Sequence, residues 1–432
     1  MKWQETIFYS IICSLLIACN PFQKSFFNKH FLFEESQYHH HTGFAIYDLE
    51  ERQFLYQHDA EKYFTPASNT KIFTLYASLL SLGDSIPALK YLIQGDSLIF
   101  WGTGDPSLLN KNVHTNLRVL DFLNNNNFEL YFSSDNYYDN HFGPGWAWDD
   151  YKYSYSAERS PMPIYGNLLE ARKVGTSKSI SINIPYFKRY FYLADTIYDT
   201  RSIVRNIGDN FLHYYPGRNK FDYSTPFHYS DYLFTQLLGD TLNKPVNLIR
   251  FQKPKNTKTL YSVPADSIYK VMMQKSDNFL AEQLLLLCSD AIGDSLRTTF
   301  TIQHIKESYL FDLPDEPIWR DGSGLSRYNL FTPRSVVALW EKIYHETGQE
   351  RLFELLSVGG KSGTLKNYYK ADPPYIYGKT GTLSNNHSLS GFLITKTGKI
   401  LIFSYMNNNY PVSSSEIKPA MERFLWAIHE KY

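Results

Sequence analysis

Phe64-Thr65-Pro66-Ala67-Ser68-Asn69-Thr70-Lys71 runs directly into Ile72, Leu75, Tyr76, Leu79 and Leu80, apolar residues at the spacing of one helix face. Pro66 marks the start of that helix, so Ser68 stands near its N-terminus and Lys71 one turn further along the same side. A serine hydroxyl is a weak nucleophile until a base takes its proton, and an amine at this spacing is placed to do so. The helix start adds backbone amides and a positive dipole end, which favour the oxyanion of an acyl-transfer intermediate. Alone the pattern is weak, because Ser267-x-x-Lys270 and Ser415-x-x-Lys418 repeat it. Its companions decide.

The first companion is Lys379-Thr380-Gly381-Thr382 on a predicted strand. It offers a cation and hydroxyls to a substrate carboxylate, a backbone amide to the oxyanion, and, at Gly381, room for a substrate backbone to approach. The similar Lys396-Thr397-Gly398 lies between two strand-like runs and reads as a tight turn. The second companion, Ser-Asp-Asn, occurs at Ser134-Asp135-Asn136 and again at Ser276-Asp277-Asn278. The first copy is closer to Ser68 but follows a strand-like run and reads as a turn. The second sits within a helical stretch, after Val271-Met272-Met273 and before Phe279-Leu280-Ala281-Glu282, and this context favours Ser276.

The chain has 432 residues, enough for two or three domains of ~150 residues. With 43% hydrophobic and 20% charged residues, it is neither a polytopic membrane protein nor a disordered chain. Lys plus Arg and Asp plus Glu both number 43, so composition gives no electrostatic reason for a nucleic-acid partner. Phe44 to Leu49 and Phe54 to His58 predict a hairpin ahead of the Ser68 helix. From about Leu89 to Pro254, short Tyr- and Phe-rich runs broken by Gly, Pro, Asn and Asp have the texture of a β-rich insertion. Helices are predicted from Ser267 through Leu287 and over Thr332 to Tyr344. A meander follows over Tyr375 to Thr382, His387 to Thr395 and Ile400 to Met406, closed by a helix with the capping box Ser413-x-x-Glu416. The expected fold is α/β in the α+β sense, an antiparallel sheet flanked by helices. The catalytic unit spans 20–88 and 258–432, split by an insertion over 89–257.

Residues 1–19 read as a secretion signal, since the apolar run from Ile7 to Ala18 is shorter than the ~20 residues a spanning helix needs. Leu16-Ile17-Ala18-Cys19 resembles a bacterial lipobox, which makes Cys19 the expected lipidation site and places the protein in the cell envelope, periplasmic and held to the membrane by lipid. Of the remaining cysteines, Cys13 also lies in the leader. Cys288 is left alone in an apolar run, a buried structural thiol with no disulfide partner. His39-His40-His41 cannot readily converge on one ion, and no metal is assigned. Gly102-x-Gly104 lacks the third glycine of a dinucleotide loop and is read as a turn. Trp146 and Trp148 are expected to pack within the insertion, and Asp321-Gly322-Ser323-Gly324-Leu325-Ser326-Arg327 to form a structural loop behind the site.

Ser-x-x-Lys, Ser-Asp-Asn and Lys-Thr-Gly together are the signature of class A β-lactamases and penicillin-binding proteins. Beyond those three motifs, Gly102 to Pro106, Gly145-Trp146-Ala147-Trp148-Asp149-Asp150 and Asp321 to Arg327 also resemble the D-alanyl-D-alanine carboxypeptidase/endopeptidase family, the low-molecular-mass class C penicillin-binding proteins. A long insertion between the first two motifs is expected in that family, which supports Ser276 over Ser134. The resemblance implies Ser68 as acylated nucleophile and Lys71 as its base, with Ser276 and Asn278 as proton relay and substrate amide contact. Lys379 and Thr380 would hold a terminal carboxylate, and the Ser68 and Thr382 amides the oxyanion, without any cofactor. The implied substrates are peptidoglycan peptide stems, with β-lactams as covalent inhibitors. Lys71 must be neutral to accept a proton, so burial and the nearby Lys379 are expected to lower its pKa. Two alternatives compete. A serine β-lactamase would need a Glu-x-x-Leu-Asn segment between Ser276 and Lys379, which the sequence lacks; a non-catalytic envelope binding protein would be expected to have lost Ser68, Lys71 or Lys379.

Overall fold

The computed structural model describes residues 21–113, 117–125, 127–173, 180–193, 203–215 and 220–432; the leader with Cys13 and Cys19 lies outside the described residues. Helix α1 (Pro21–Tyr38) leads into the hairpin β1 (His41–Asp48) and β2 (Gln53–His58), and a 3-10 turn (Ala67–Thr70) opens α2 (Lys71–Ser81). Next come β3 (Ser85–Gln94), β4 (Ser97–Gly102), α3 (Arg118–Asn124), β5 (Glu129–Ser133), β6 (Leu168–Lys173) and β7 (Ser181–Ile182). The chain continues through β8 (Phe191–Leu193), β9 (Ile203–Arg205), β10 (Leu212–Tyr214), β11 (Phe221–Pro226), α4 (Asp231–Leu242), β12 (Val246–Leu248) and β13 (Lys258–Pro264). The last part holds α5 (Ala265–Lys275), α6 (Asn278–Gly293), α7 (Thr298–Tyr309), α8 (Pro333–Thr347) and α9 (Gln349–Leu355). It ends with β14 (Ser357–Val358), β15 (Ile376–Leu383), β16 (Asn386–Ile394), β17 (Ile400–Asn408) and α10 (Ser414–Lys431).

The central sheet has the order β14-β15-β16-β17-β1-β2 and is antiparallel throughout. Its strands are apolar on both sides because both sides are covered, and the period of two decides which core each residue joins. Ala45, Tyr47, Phe392, Ile402 and Met406 meet the helical residues Ile72, Met272, Leu284 and Trp340. The alternate residues Phe44, Ile46, Leu401, Phe403 and Tyr405 meet Phe27 and Phe31 of α1 and Phe424 of α10. Between the two crossings of the chain, a mixed sheet of order β12-β5-β4-β3-β13 and two three-stranded sheets build a separate apolar cluster over residues 88–246. The chain leaves at Asp84 and returns at Ala265, whose amide donates to the Asp84 carbonyl at 2.8 Å, and β3 and β13 run on as an antiparallel pair.

The hairpin, the Ser68 region, the meander and the last helix fall where the sequence places them. The predicted helix from Ser267 through Leu287 is two helices. Ser276 adopts a left-handed φ of 58° at the end of α5, and the Asp277 side chain caps α6 by accepting from the Leu280 amide at 3.0 Å. Helix α1 answers no sequence pattern noted above. It forms as the cover of the open β1–β2 face, stacking Phe31 on His58 at 4.6 Å and against Phe44 at 5.3 Å between ring centroids. Cys288 is buried and unpaired, and burial pushes its thiol up to about 12, an inert structural cysteine. Phe31 is fully buried, so Phe31→Ala is expected to cost about 3 kcal/mol or more, read as a lower urea midpoint for the α1-covered unit.

Candidate active site

The turn before α2 is tight and held from three directions. Ala67 takes a left-handed φ of 49°, and the Thr70 hydroxyl closes the turn on the Ala67 carbonyl at 2.9 Å. The Ser388 hydroxyl of β16 donates to the Pro66 carbonyl at 2.7 Å, and Asn69 reaches from the turn into the sheet. The Asn69 amide donates to the Lys379 carbonyl at 3.0 Å, and its oxygen accepts from the Ser390 hydroxyl, which in turn accepts from Trp340 Nε1 at 2.9 Å. Gly381 lies against this turn so closely that a Cβ there would sit 2.5 Å from the Pro66 carbonyl oxygen and 2.8 Å from the Ser68 nitrogen. The sequence reading reserves that space for substrate; here it is filled by the turn that carries Ser68.

Lys71 is fully buried, and its amine has three partners: Ser68 Oγ at 2.9 Å, Asn278 Oδ1 at 2.6 Å and the Ser323 carbonyl at 2.6 Å. Two of these are acceptors only, whereas a hydroxyl can also donate. A neutral amine therefore spends its two hydrogens on Asn278 and Ser323 and turns its lone pair toward the Ser68 hydroxyl. Burial lowers Lys71 to about 8 against the opposing charges of Asp321, Asp277 and Glu282. The repulsion expected from Lys379 falls instead on Lys379 itself, which burial and then Lys71 hold well below its ordinary value.

The break between α5 and α6 brings Ser276 to Lys379 and Asn278 to Lys71. Lys379, fully buried on β15, donates to Ser276 Oγ at 2.8 Å and to the Thr380 carbonyl at 2.6 Å. The Thr380 hydroxyl donates to Thr364, and Thr382 pairs its hydroxyl with His387 Nδ1 at 2.8 Å, a ring that burial keeps neutral by lowering it to about 3. Ser68, Asn278 and Thr382 line one cleft of about 770 Å³ with Gly145, Ala147, Asp149, Asp150 and Tyr155 of the insertion and with Arg327. The expected site residues Ser68, Lys71, Ser276, Asn278, Lys379, Thr380, Gly381 and Thr382 are thus brought together. Cys19 lies outside the described residues.

The other copies of each motif are elsewhere. Ser134 donates to Asp231 and Asn136 to the Gly102 carbonyl in a turn after β5, and Lys396-Thr397-Gly398 turns between β16 and β17. Gly104 donates its amide to the Pro161 carbonyl and accepts from Gln283, so that segment joins the insertion to α6. Asp321 gathers the amides of Gly324 and Ser326, the Asn329 side chain and Trp146 Nε1, fixing a loop whose Gly324 carries no Cβ because the Ala67 carbonyl occupies its place. Trp148, unlike Trp146, does not pack: it opens a 3-10 turn at the surface and is 78% exposed. Sequence reasoning missed Asn69, Tyr155 and Arg159. It also passed over Glu282, although Glu282 stands one helical turn beyond Asn278, a spacing that could have flagged it.

A helix-flanked antiparallel sheet, a serine–lysine pair at a helix start and a second buried lysine on the adjoining strand define a serine hydrolase of the penicillin-binding class. The chain belongs to the D-Ala-D-Ala carboxypeptidase 3 (S13) family, matching it over residues 31–194 and 220–428. It is 25% identical over 430 residues to the D-alanyl-D-alanine carboxypeptidase DacB of Haemophilus influenzae, covering 87% of each chain. The crystal structure of penicillin-binding protein 4 from the same organism superposes with a TM-score of 0.71 at 22% identity, over 90% of this chain and 95% of that one. A predatory peptidoglycan endopeptidase of Bdellovibrio bacteriovorus shares the fold at a TM-score of 0.50 and 16% identity, over 91% and 95%.

Asn69 ties the nucleophile turn to the sheet, so Asn69→Ala strands the Lys379 carbonyl in a buried setting. Chemical denaturation is expected to show a loss of about 1–3 kcal/mol.

Proposed function

We propose that this D-Ala-D-Ala carboxypeptidase cleaves peptidoglycan stems through an acyl-enzyme on Ser68, with Lys71 as the base. The observation that carries the reading is the Lys71 amine, whose two fixed acceptors leave Ser68 as the partner able to donate. Ser68 Oγ attacks the carbonyl carbon of the penultimate residue while its proton passes to Lys71. The carbonyl oxygen, now negative, takes hydrogen bonds from the Ser68 and Thr382 amides. The C–N bond then breaks, and the departing D-alanine amine collects a proton relayed through Ser276. Asn278 contacts the substrate amide, and water later releases the acyl group, restoring Ser68.

A carboxypeptidase must also recognise a free C-terminus. Lys379 on β15 bonds to Ser276 Oγ and to the Thr380 carbonyl, and a buried amine held below its ordinary value regains its charge when a carboxylate arrives. Gly381 lets β15 lie against the Ser68 turn, which keeps the carboxylate site and the nucleophile in one register. β-Lactams acylate the same serine. Their amide nitrogen stays attached through the ring, so the leaving group cannot diffuse away and the adduct persists. The alternative of a non-catalytic binding module finds no support in a site that retains all three of Ser68, Lys71 and Lys379.

The domain limits follow the same logic: residues 20–88 and 258–432 as the catalytic unit, 89–257 as its insertion. For location, Cys19 is the lipidation site and the protein is a periplasmic lipoprotein. Support comes from the lipobox-like residues 16–19. No helix among the described residues is long and apolar enough to cross a membrane.

Incubation with benzylpenicillin is expected to add one covalent adduct, mapped by mass spectrometry to Ser68 and missing in Ser68→Ala. Since Lys71 works as a base only when neutral, the acylation rate should climb with pH through about 8; a flat profile, or an adduct elsewhere, overturns the assignment. In cells, Cys19→Ala should move the protein from the membrane fraction to the soluble one.

A further inference from the structure

One buried charge has no part in this mechanism. Arg159, in the insertion, is 1% exposed, and a guanidinium so far from water is tolerated only when paired. Its Nε donates to Glu282 Oε2 at 2.9 Å, and Nη2 lies 2.9 Å from the same oxygen. Nη1 donates to Asp139 Oδ1 at 3.2 Å and to Thr298 Oγ1 at 3.1 Å. The indole of Trp146 covers the guanidinium, with its ring centroid 5.5 Å away.

Glu282 is fully buried on α6, one turn beyond Asn278. Its second oxygen, Oε1, accepts the Ser323 amide at 2.8 Å, and Ser323 is the residue whose carbonyl accepts from Lys71 at 2.6 Å. Three links therefore run from the insertion to the base: Arg159 to Glu282, Glu282 to Ser323, Ser323 to Lys71. As a hydrogen-bond acceptor Glu282 holds the Ser323 carbonyl in place; as a charge it favours the protonated amine. The ion pair with Arg159 keeps the first effect and offsets the second.

We infer that Arg159 is a positioning residue for Lys71: paired with Glu282, it fixes the Ser323 carbonyl on the amine and cancels a negative charge facing it. The inference rests on Lys71 being the base, as proposed above. The charged groups facing Lys71 are Lys379 from β15, Asp277 from the break before α6, Glu282 from α6 and Asp321 from the loop ahead of α8. Those facing Arg159 are Glu282, Asp139 and Asp321, with the Tyr137 phenol beside them. Burial raises the Glu282 carboxyl and Arg159 pulls it back.

The test is the rate of covalent labelling by a fluorescent penicillin from pH 6 to 10, on variants whose folding is checked by circular dichroism. Arg159→Met should shift the rate midpoint upward by about half a pH unit or more and slow the plateau roughly fivefold. Glu282→Gln alone, which removes the charge and leaves Arg159, should shift the midpoint downward; the double variant should return it close to the wild-type value. Arg159→Lys should stay nearer the wild type than Arg159→Met. If Arg159→Met does not fold, the direction of the Glu282→Gln shift decides. An unmoved midpoint in either folded single variant overturns the inference while the wild type still labels. A wild type that does not label overturns the reading on which it rests.

Discussion

A lysine amine withdrawn from water has to find acceptors for its hydrogens, and the architecture around this cleft follows from where those acceptors come. Lys71 takes one from the start of α6, one from the backbone of the 321–326 loop, and meets Ser68 one turn back along its own chain. Segments far apart in sequence are thereby drawn onto one nitrogen. Each is stiffened in turn: Asn278 by the Tyr155 carbonyl, the loop by Asp321, the serine turn by Asn69. A short polar contact in a dry place is worth more than its net hydrogen-bond energy, because losing any partner leaves a buried group unpaired.

The sheet supplies the ruler for the second lysine. β15 is held between β14 and β16, and the missing side chain at Gly381 lets it press against the serine turn. Covered on one side by α2, α6 and α8 and on the other by α1 and α10, the sheet has little freedom to shift Lys379 relative to Ser68. Rigidity of this sort is what keeps two buried lysine amines in fixed places. Burial holds both amines below their ordinary values, with Lys71 adding to the lowering of Lys379; this is the state in which one acts as a base and the other welcomes an anion.

Much of this was legible in the residues. Periodicity located the hairpin, α2 and the meander, because those elements bury one face or alternate between two. Local context separated the Ser-Asp-Asn and Lys-Thr-Gly motifs from their second copies: Ser134 follows a strand and Lys396 sits between two, and both prove to be turns. What stayed hidden depends on tertiary partners. Helix α1 has little amphipathic pattern and is helical because its aromatic residues close over β1 and β2. The break at Ser276 needs a left-handed residue that no glycine announced. Arg159 has no sequence signature at all, since its meaning lies in Asp139, outside its own local segment, and in Glu282, far away along the chain.

The two crossings between the catalytic sheet and the insertion are a single hydrogen bond apart, Ala265 to Asp84, and continue as paired strands. A segment whose ends already meet is a cassette: during evolution it can be lengthened, trimmed or exchanged without prying apart the helices on either side. Its contacts with the catalytic unit, among them Gly104 on Gln283 and Trp146 on Asp321, are the parts not free to vary. The Tyr155 carbonyl and the Arg159 guanidinium touch α6 at successive turns, so a replacement cassette would inherit the obligation to present an acceptor and a cation at those two heights. Lineages that diverge in this region should therefore differ widely in length and surface while converging on that pair of contacts.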